Sequence, residues 1–271
     1  MAPADRLSEA LRHWQFWDLP SPLGEAPRLG PELAEGSGHS VYQIECGVPL
    51  VGRIKKLSGS SHTTPFRQEF DIWSLASRWR LAPGIVYADA EMEVVICHRA
   101  NPLNRPVRGH ALGALCRDIH RLAPVSYSLS LRSDINRYLE LLPMAQSDAW
   151  RSAMIHADCS ALLSALESDE QFLCHNDLTA DNLMQSADQL IAIDWEYSAM
   201  GSRYFDVAIA GEHLLPREWD QMIETVFAGA ADTYLIGAGN RIASLVTALW
   251  QTLFAPNLAP QPVDWLARNR S

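Results

Sequence analysis

Two aspartates set seventeen residues apart, Asp177 and Asp194, have the surroundings that phosphoryl transfer requires together. Asp177 lies in Cys174-His175-Asn176-Asp177-Leu178-Thr179-Ala180-Asp181-Asn182-Leu183-Met184, which reads H-x-D-x-x-x-x-N. That pattern supplies an Asp base and, five residues later, an amide able to bind metal. Asp194 closes the short apolar run Leu190-Ile191-Ala192-Ile193. In phosphoryl transfer the protein has little covalent work to do. It orients a hydroxyl and neutralises the phosphates with a divalent cation, and this pair of carboxylates suits both tasks. The chain is therefore a candidate kinase.

The elements that must position the pair are legible around it. Phe172-Leu173-Cys174 is apolar and short enough for a strand entering the loop, and Leu183-Met184 suits a strand leaving it. A polar turn over 185–189 and a strand over 190–193 follow. The competing reading is an ordinary surface turn in which Asp and Asn cap local backbone groups.

On these residues, 175–208 resembles the superfamily of choline kinases, thiamine kinases and aminoglycoside phosphotransferases, which shares the protein-kinase-like fold. His175-Asn176-Asp177-Leu178 and Ile193-Asp194-Trp195-Glu196-Tyr197-Ser198 are most similar to the bacterial choline and thiamine kinase branch. Trp195-Glu196 departs from the Phe-Gly that protein kinases carry after the second Asp. The resemblance implies an α+β, bilobal protein-kinase-like fold: a small antiparallel-sheet N-lobe with one helix and a larger, mostly helical C-lobe. It implies ATP as co-substrate and Mg²⁺ held by Asn182 and Asp194. For Asp206, in Tyr204-Phe205-Asp206-Val207-Ala208, it implies a buried acceptor under the catalytic loop; a helix N-cap ahead of Val207 is the other reading.

The first third reads as the expected small lobe, placed at 1–97. Apolar spacing predicts a helix over 6–17, broken into extended chain by Pro20, Pro22, Pro27 and Pro31. Strands are predicted over 41–44 and 49–54, a helix over 66–78, and strands over 85–87 and 94–96. Gly36 and Gly38 form a turn before the first of these strands, where backbone amides can approach phosphate oxygens. Arg53 and Lys55 alternate with Ile54 and share one face. The choline kinase branch implies Arg at the place of Arg53 as the phosphate-holding cation, with Lys55 the alternative. Glu69, early in the helix, is placed either to pair with that cation or to face solvent.

The Pro- and Asn-rich stretch 98–108 reads as the crossover between lobes, with backbone groups from Ile96 to His98 meeting the adenine edge. The C-lobe, 109–271, is predicted helical over 111–122, 129–142 and 148–166, the last capped by Ser147. His120 reads as a packing histidine, and His175 as a brace for the loop. Glu196 suits a cationic group or a second metal, or else a salt bridge to Arg203. Trp250 lies on a helix over 242–254 that resembles the late Trp-bearing helix of choline kinases. It either offers a face to a quaternary ammonium or thiazolium or packs in the core.

Composition fits. The chain has 271 residues, 48% of them hydrophobic, enough for a sizeable core. No apolar run approaches a membrane span, the N-terminus lacks a secretory pattern, and five scattered cysteines suggest reduced thiols; a cytoplasmic location is expected. A net charge of −10 disfavours nucleic acid and suits a cationic partner. The expected activity is ATP- and Mg-dependent phosphorylation of a small cationic metabolite, choline or ethanolamine or thiamine. The alternatives are an aminoglycoside or sugar phosphotransferase and a non-catalytic pseudokinase-like protein. Asp206 follows Asp194 by only twelve residues, too few for the activation segment of a protein kinase.

Overall fold

Alternating apolar and polar residues turn the first third of the chain into an antiparallel sheet, and longer-period apolar spacing turns most of the rest into helices. The structure is a computed structural model and describes residues 3–35, 38–56, 65–187 and 189–269. The elements run α1 (Pro3–Leu11), β1 (Arg28–Glu35), β2 (His39–Glu45), β3 (Leu50–Lys55), α2 (Phe66–Arg78), β4 (Ile85–Asp89), β5 (Val94–His98), β6 (Asn101–Pro102), α3 (Gly109–His120), α4 (Leu131–Leu141), α5 (Met144–His156), α6 (Cys159–Ser168), β7 (Gln171–Cys174), β8 (Leu183–Ser186), β9 (Gln189–Ala192), β10 (Ala199–Ser202), α7 (Arg203–Gly211), α8 (Pro216–Phe227), α9 (Thr233–Phe254) and α10 (Pro262–Asn269). No helix among the described residues is long and apolar enough to cross a membrane. All five cysteines are free.

The chain divides into two units, Met1–Pro106 with Asn182–Tyr197 and Val107–Asp181 with Ser198–Ser271. The division is discontinuous, unlike the contiguous segments 1–97, 98–108 and 109–271. The stretch after β5 and the β8–β9 hairpin, with Asp194, both group with the N-terminal sheet.

In the first unit the five-stranded sheet has the order β1-β2-β3-β5-β4. Its register pairs Ile44 with Leu50, Gly52 with Ile96 and Ile54 with Val94, so these side chains share one face. That face buries Leu7, Ala10 and Leu11 of α1. A Cβ on Gly52 would lie 2.7 Å from Leu7 Cδ1, so the missing side chain is what lets α1 seat on the strand. The opposite face carries Arg53 and Lys55, towards α2. Four strands and α2 match the sequence expectation; β1 is additional. Pro31 reads as a breaker, but β1 is an edge strand, and its register is irregular between Leu29 and Ala34, where the missing N–H of Pro31 costs no ladder bond. The predicted helix over 6–17 is shorter: α1 ends at Leu11 and a separate 3₁₀ turn follows at Trp14–Phe16.

In the second unit β7 and β10 pair antiparallel, Cys174 opposite Ala199. The chain thus leaves this ribbon after Cys174 and returns to the facing rung at Ala199, which anchors both ends of the segment carrying the two aspartates. The helix predicted over 148–166 is in fact two, α5 and α6. They are parted by Asp158, whose φ of 51° takes the chain through the left-handed region that short polar residues tolerate. Ser147 lies inside α5, buried, and caps nothing.

Candidate active site

The loop after β7 is built on a buried carboxyl. Asp206, fully buried in the first turn of α7, accepts the Asn176 N–H at 2.6 Å and pairs with His120 Nε2 at 2.7 Å. The N-cap reading of Asp206 is corrected: Ser202 caps α7, its hydroxyl accepting from Tyr204 N. His120 is a buried packing histidine as expected, and its ring also ties α3 to the loop's anchor. His175 is fully buried, and Ser198 Oγ donates to its carbonyl at 3.3 Å. Asn176 has φ of 64°, a left-handed conformation that the surrounding bonds must hold in place. Asp177 follows, partly exposed, its carbonyl accepting from Thr179 N at 2.8 Å.

A second cluster lies within the first unit. Arg53 projects from β3 and donates through Nη1 to Glu69 of α2 and through Nη2 to Asp194. Arg53 Nη2 also lies 3.0 Å from His39 Nδ1, and the guanidinium carbon is 5.8 Å from the centre of the Trp73 ring. Trp73 is fixed in turn by its Nε1–H on Pro83 O at 2.9 Å. Burial alone would lower the Arg53 pKa, but Glu69, Asp194 and Glu196 outweigh it and raise it. Lys55 is buried on the same face, while the hydrogen bonds to Glu69 and Asp194 belong to Arg53.

Asp194, like Asn176, has a left-handed backbone, with φ of 64°. Its neighbour Ile193 donates N–H to Asn182 O at 2.9 Å, so Asn182 and Asp194 are held across the β8–β9 hairpin. Glu196, in the 3₁₀ turn Trp195–Tyr197, is pushed up to about 7 by burial and by the charges of Asp194 and Glu69. Crowded carboxylates of this kind are relieved by a cation. Carboxylate oxygens such as those of Asp194 and Glu196 are the ligand type that Mg²⁺ prefers.

His39 is the member the sequence reading missed. It is the first residue of β2, and the register that pairs His39 with Lys55 and Val41 with Arg53 puts it on the cation face. The alternation His39, Val41 against Arg53, Lys55 carries that signal once the hairpin register is known. Burial, then Arg53, Lys55 and Lys56, push its imidazole down to about 2, so it is neutral.

The other expected site residues are Gly36 and Gly38, Ile96 and His98, Glu196 and Trp250. Gly36 lies outside the described residues; Gly38 directly precedes β2, and its carbonyl accepts from Lys56 N at 2.8 Å. Ile96 and His98 lie on β5, where Ile96 pairs on both sides, with Gly52 and with Tyr87, and the His98 N–H donates to Gly84 O at 2.9 Å. Glu196 has His39 Nδ1 at 3.9 Å, whereas Arg203 stacks its guanidinium 4.0 Å over Phe172. Trp250 is not core: 39% exposed on α9, it stands with its ring 5.6 Å from that of Phe254.

Comparison with known proteins gives a family and a fold. The model of the phosphotransferase enzyme family matches residues 71–241. Protein LicA of Haemophilus influenzae is 43% identical over 54 residues, which is 19% of this chain and 20% of that protein, so the match spans only about a fifth of the curated relative. Among solved structures, the choline kinase LicA from Streptococcus pneumoniae superposes with a TM-score of 0.73 at 13% identity, covering 98% of this chain and 96% of that one. An ADP-bound aminoglycoside phosphotransferase, APH(2'')-Ib, superposes with a TM-score of 0.63 at 14% identity, covering 99% and 97%. These two likenesses are of fold.

Proposed function

The chain belongs to the phosphotransferase enzyme family, and we propose that it moves the terminal phosphoryl group of Mg-ATP to the hydroxyl of a small cationic metabolite: choline, ethanolamine or thiamine. The observation that carries this reading is the guanidinium of Arg53 set between Glu69 and Asp194. A buried cation oriented by one carboxylate, beside a second carboxylate in a left-handed backbone, is an arrangement suited to a phosphate chain and its metal.

In this reading Arg53 takes the nucleotide phosphates, with Lys55 on the same face, and the backbone amides of Gly36 and Gly38 contribute to holding them. Asn182 and Asp194 hold Mg²⁺, which when bound neutralises charge on the phosphoryl oxygens. Asp177 accepts a hydrogen bond from the acceptor hydroxyl and aligns its oxygen for in-line attack. As the new O–P bond forms, the terminal bridging O–P bond of ATP breaks, ADP leaves, and the hydroxyl proton passes towards Asp177. A carboxylate suffices as acceptor because the transition state is loose. His175 and Asp206 hold the loop that presents Asp177.

A cationic acceptor is supported by the net charge, by Glu196, and by the exposed Trp250, whose indole face suits cation–π attraction. The test is ADP release from Mg-ATP with choline, ethanolamine, thiamine and kanamycin as separate acceptors. Turnover with one of the first three is expected. Turnover with kanamycin alone would reject the small cationic metabolite in favour of an aminoglycoside, and no turnover with any of them would reject the choice of acceptors.

A further inference from the structure

His39 occupies a place that the chemistry of the site leaves open. Nη2 of Arg53 has two partners, the Asp194 carboxylate and His39 Nδ1 at 3.0 Å. A guanidinium nitrogen only donates, so Nδ1 must accept and the imidazole proton resides on Nε2. Nε2 faces Glu69 Oε2 at 3.6 Å, outside hydrogen-bonding distance. The ring is 7% exposed and cannot turn freely. His39 therefore spans the two groups that matter most here, Arg53 and the carboxylate that orients it.

Asp194 has two claimants, the guanidinium and the metal. When its charge turns to the metal, Nη2 keeps one acceptor, and that acceptor is His39. A carboxylate at this position would add a fourth negative group to Glu69, Asp194 and Glu196. A neutral ring holds the cation without doing so. His39, Asp194 and Glu196 have potential ligand atoms within 4.8 Å of one another. Yet the Nδ1 lone pair is spent on Arg53, which keeps the ring out of the metal's ligand set and leaves that set to oxygen.

We propose that His39 is a positioning residue, a neutral acceptor that keeps Arg53 aimed at the nucleotide phosphates once Asp194 is engaged by metal. The proposal rests on the kinase reading above. Its role differs from that of Glu69, which holds Nη1 whether or not metal is present.

Calorimetric titration of ADP with and without Mg²⁺ tests it, using the wild type, His39→Ala, His39→Gln, Arg53→Ala and the double variant His39→Ala/Arg53→Ala. His39→Ala should weaken Mg-ADP binding roughly tenfold, the scale of one hydrogen bond to a charged group, and weaken metal-free ADP less. The Mg²⁺ concentration for half-saturation should rise, because Arg53 then has only Asp194 on Nη2. His39→Gln, whose amide oxygen can accept from Arg53, should recover most of the loss. Removing His39 in the Arg53→Ala background should cost nothing further. Binding of Mg-ADP by folded His39→Ala within twofold of wild type would overturn the proposal, as would equal losses with and without metal or additive losses in the double variant. Failure of the wild type itself to bind Mg-ADP would instead overturn the kinase reading, and this proposal with it.

Discussion

Replacing Asp206 by Ala probes the support of the catalytic loop. The side chain is fully buried and accepts from two buried donors, Asn176 N at 2.6 Å and His120 Nε2 at 2.7 Å. Alanine leaves both donors without this partner. Each stranded buried donor costs about 1–3 kcal/mol, and removing one member of a buried polar pair about 3–5 kcal/mol, so a loss of ~4 kcal/mol is expected. For a chain of this size that lowers the midpoint of thermal unfolding by roughly 10 °C. Because Asn176 adjoins Asp177 and holds a left-handed backbone, turnover measured well below the new midpoint should fall as well, with nucleotide affinity little changed. A double-mutant cycle separates the network from simple packing. Asp206→Ala and His120→Ala together should cost about 1–2 kcal/mol less than the two single losses added. The reasoning is refuted if the midpoint moves by less than about 2 °C, or if the two substitutions prove additive.

Two further expectations concern stability. A Cβ on Gly109 would sit 1.7 Å from Glu218 O, where α3 meets α8, whereas a Cβ on Gly237 of α9 meets nothing within 4 Å. Gly109→Ala should therefore destabilise by about 3 kcal/mol or more, and Gly237→Ala should stabilise by about 0.5–1 kcal/mol through helix propensity; urea midpoints of the two variants check both. Glu196, raised from 4.5 to about 7 by burial and by Asp194 and Glu69, keeps its proton in the folded state over a range where the unfolded chain has lost it. Without metal, its contribution to stability is full below about pH 4.5 and is lost as pH rises to about 7. Glu196→Gln should flatten that segment of the stability profile, and an unchanged profile would contradict the assignment.

What the sequence shows of this protein, and what it hides, follows from the range of the interactions involved. α2 reads correctly from 66 to 78 because Phe66, Trp73 and Ala76 recur at helical spacing after Pro65. The loop from His175 to Asn182 and the hairpin strands around it are local patterns too. β1 is missed because Pro27 and Pro31 read as breakers, and only its edge position in the finished sheet makes Pro31 tolerable. The break between α5 and α6 is hidden because Asp158 takes a left-handed conformation without a Gly or Pro to announce it. His39 and the pairing of Asp206 with His120 depend on register and long-range packing. The place of Glu69 early in α2 suits either a pair with the cation or solvent, and the structure sets it against Arg53.

The central claim is that Asp177 aligns an acceptor hydroxyl for attack on Mg-ATP. Asp177→Asn tests it most directly, with Mg-ATP affinity and single-turnover phosphoryl transfer to the acceptor measured on the same protein. The account predicts unchanged Mg-ATP binding and a rate of transfer lower by roughly 10²–10⁴-fold. Transfer at the wild-type rate with Asn in place of Asp177 would contradict it.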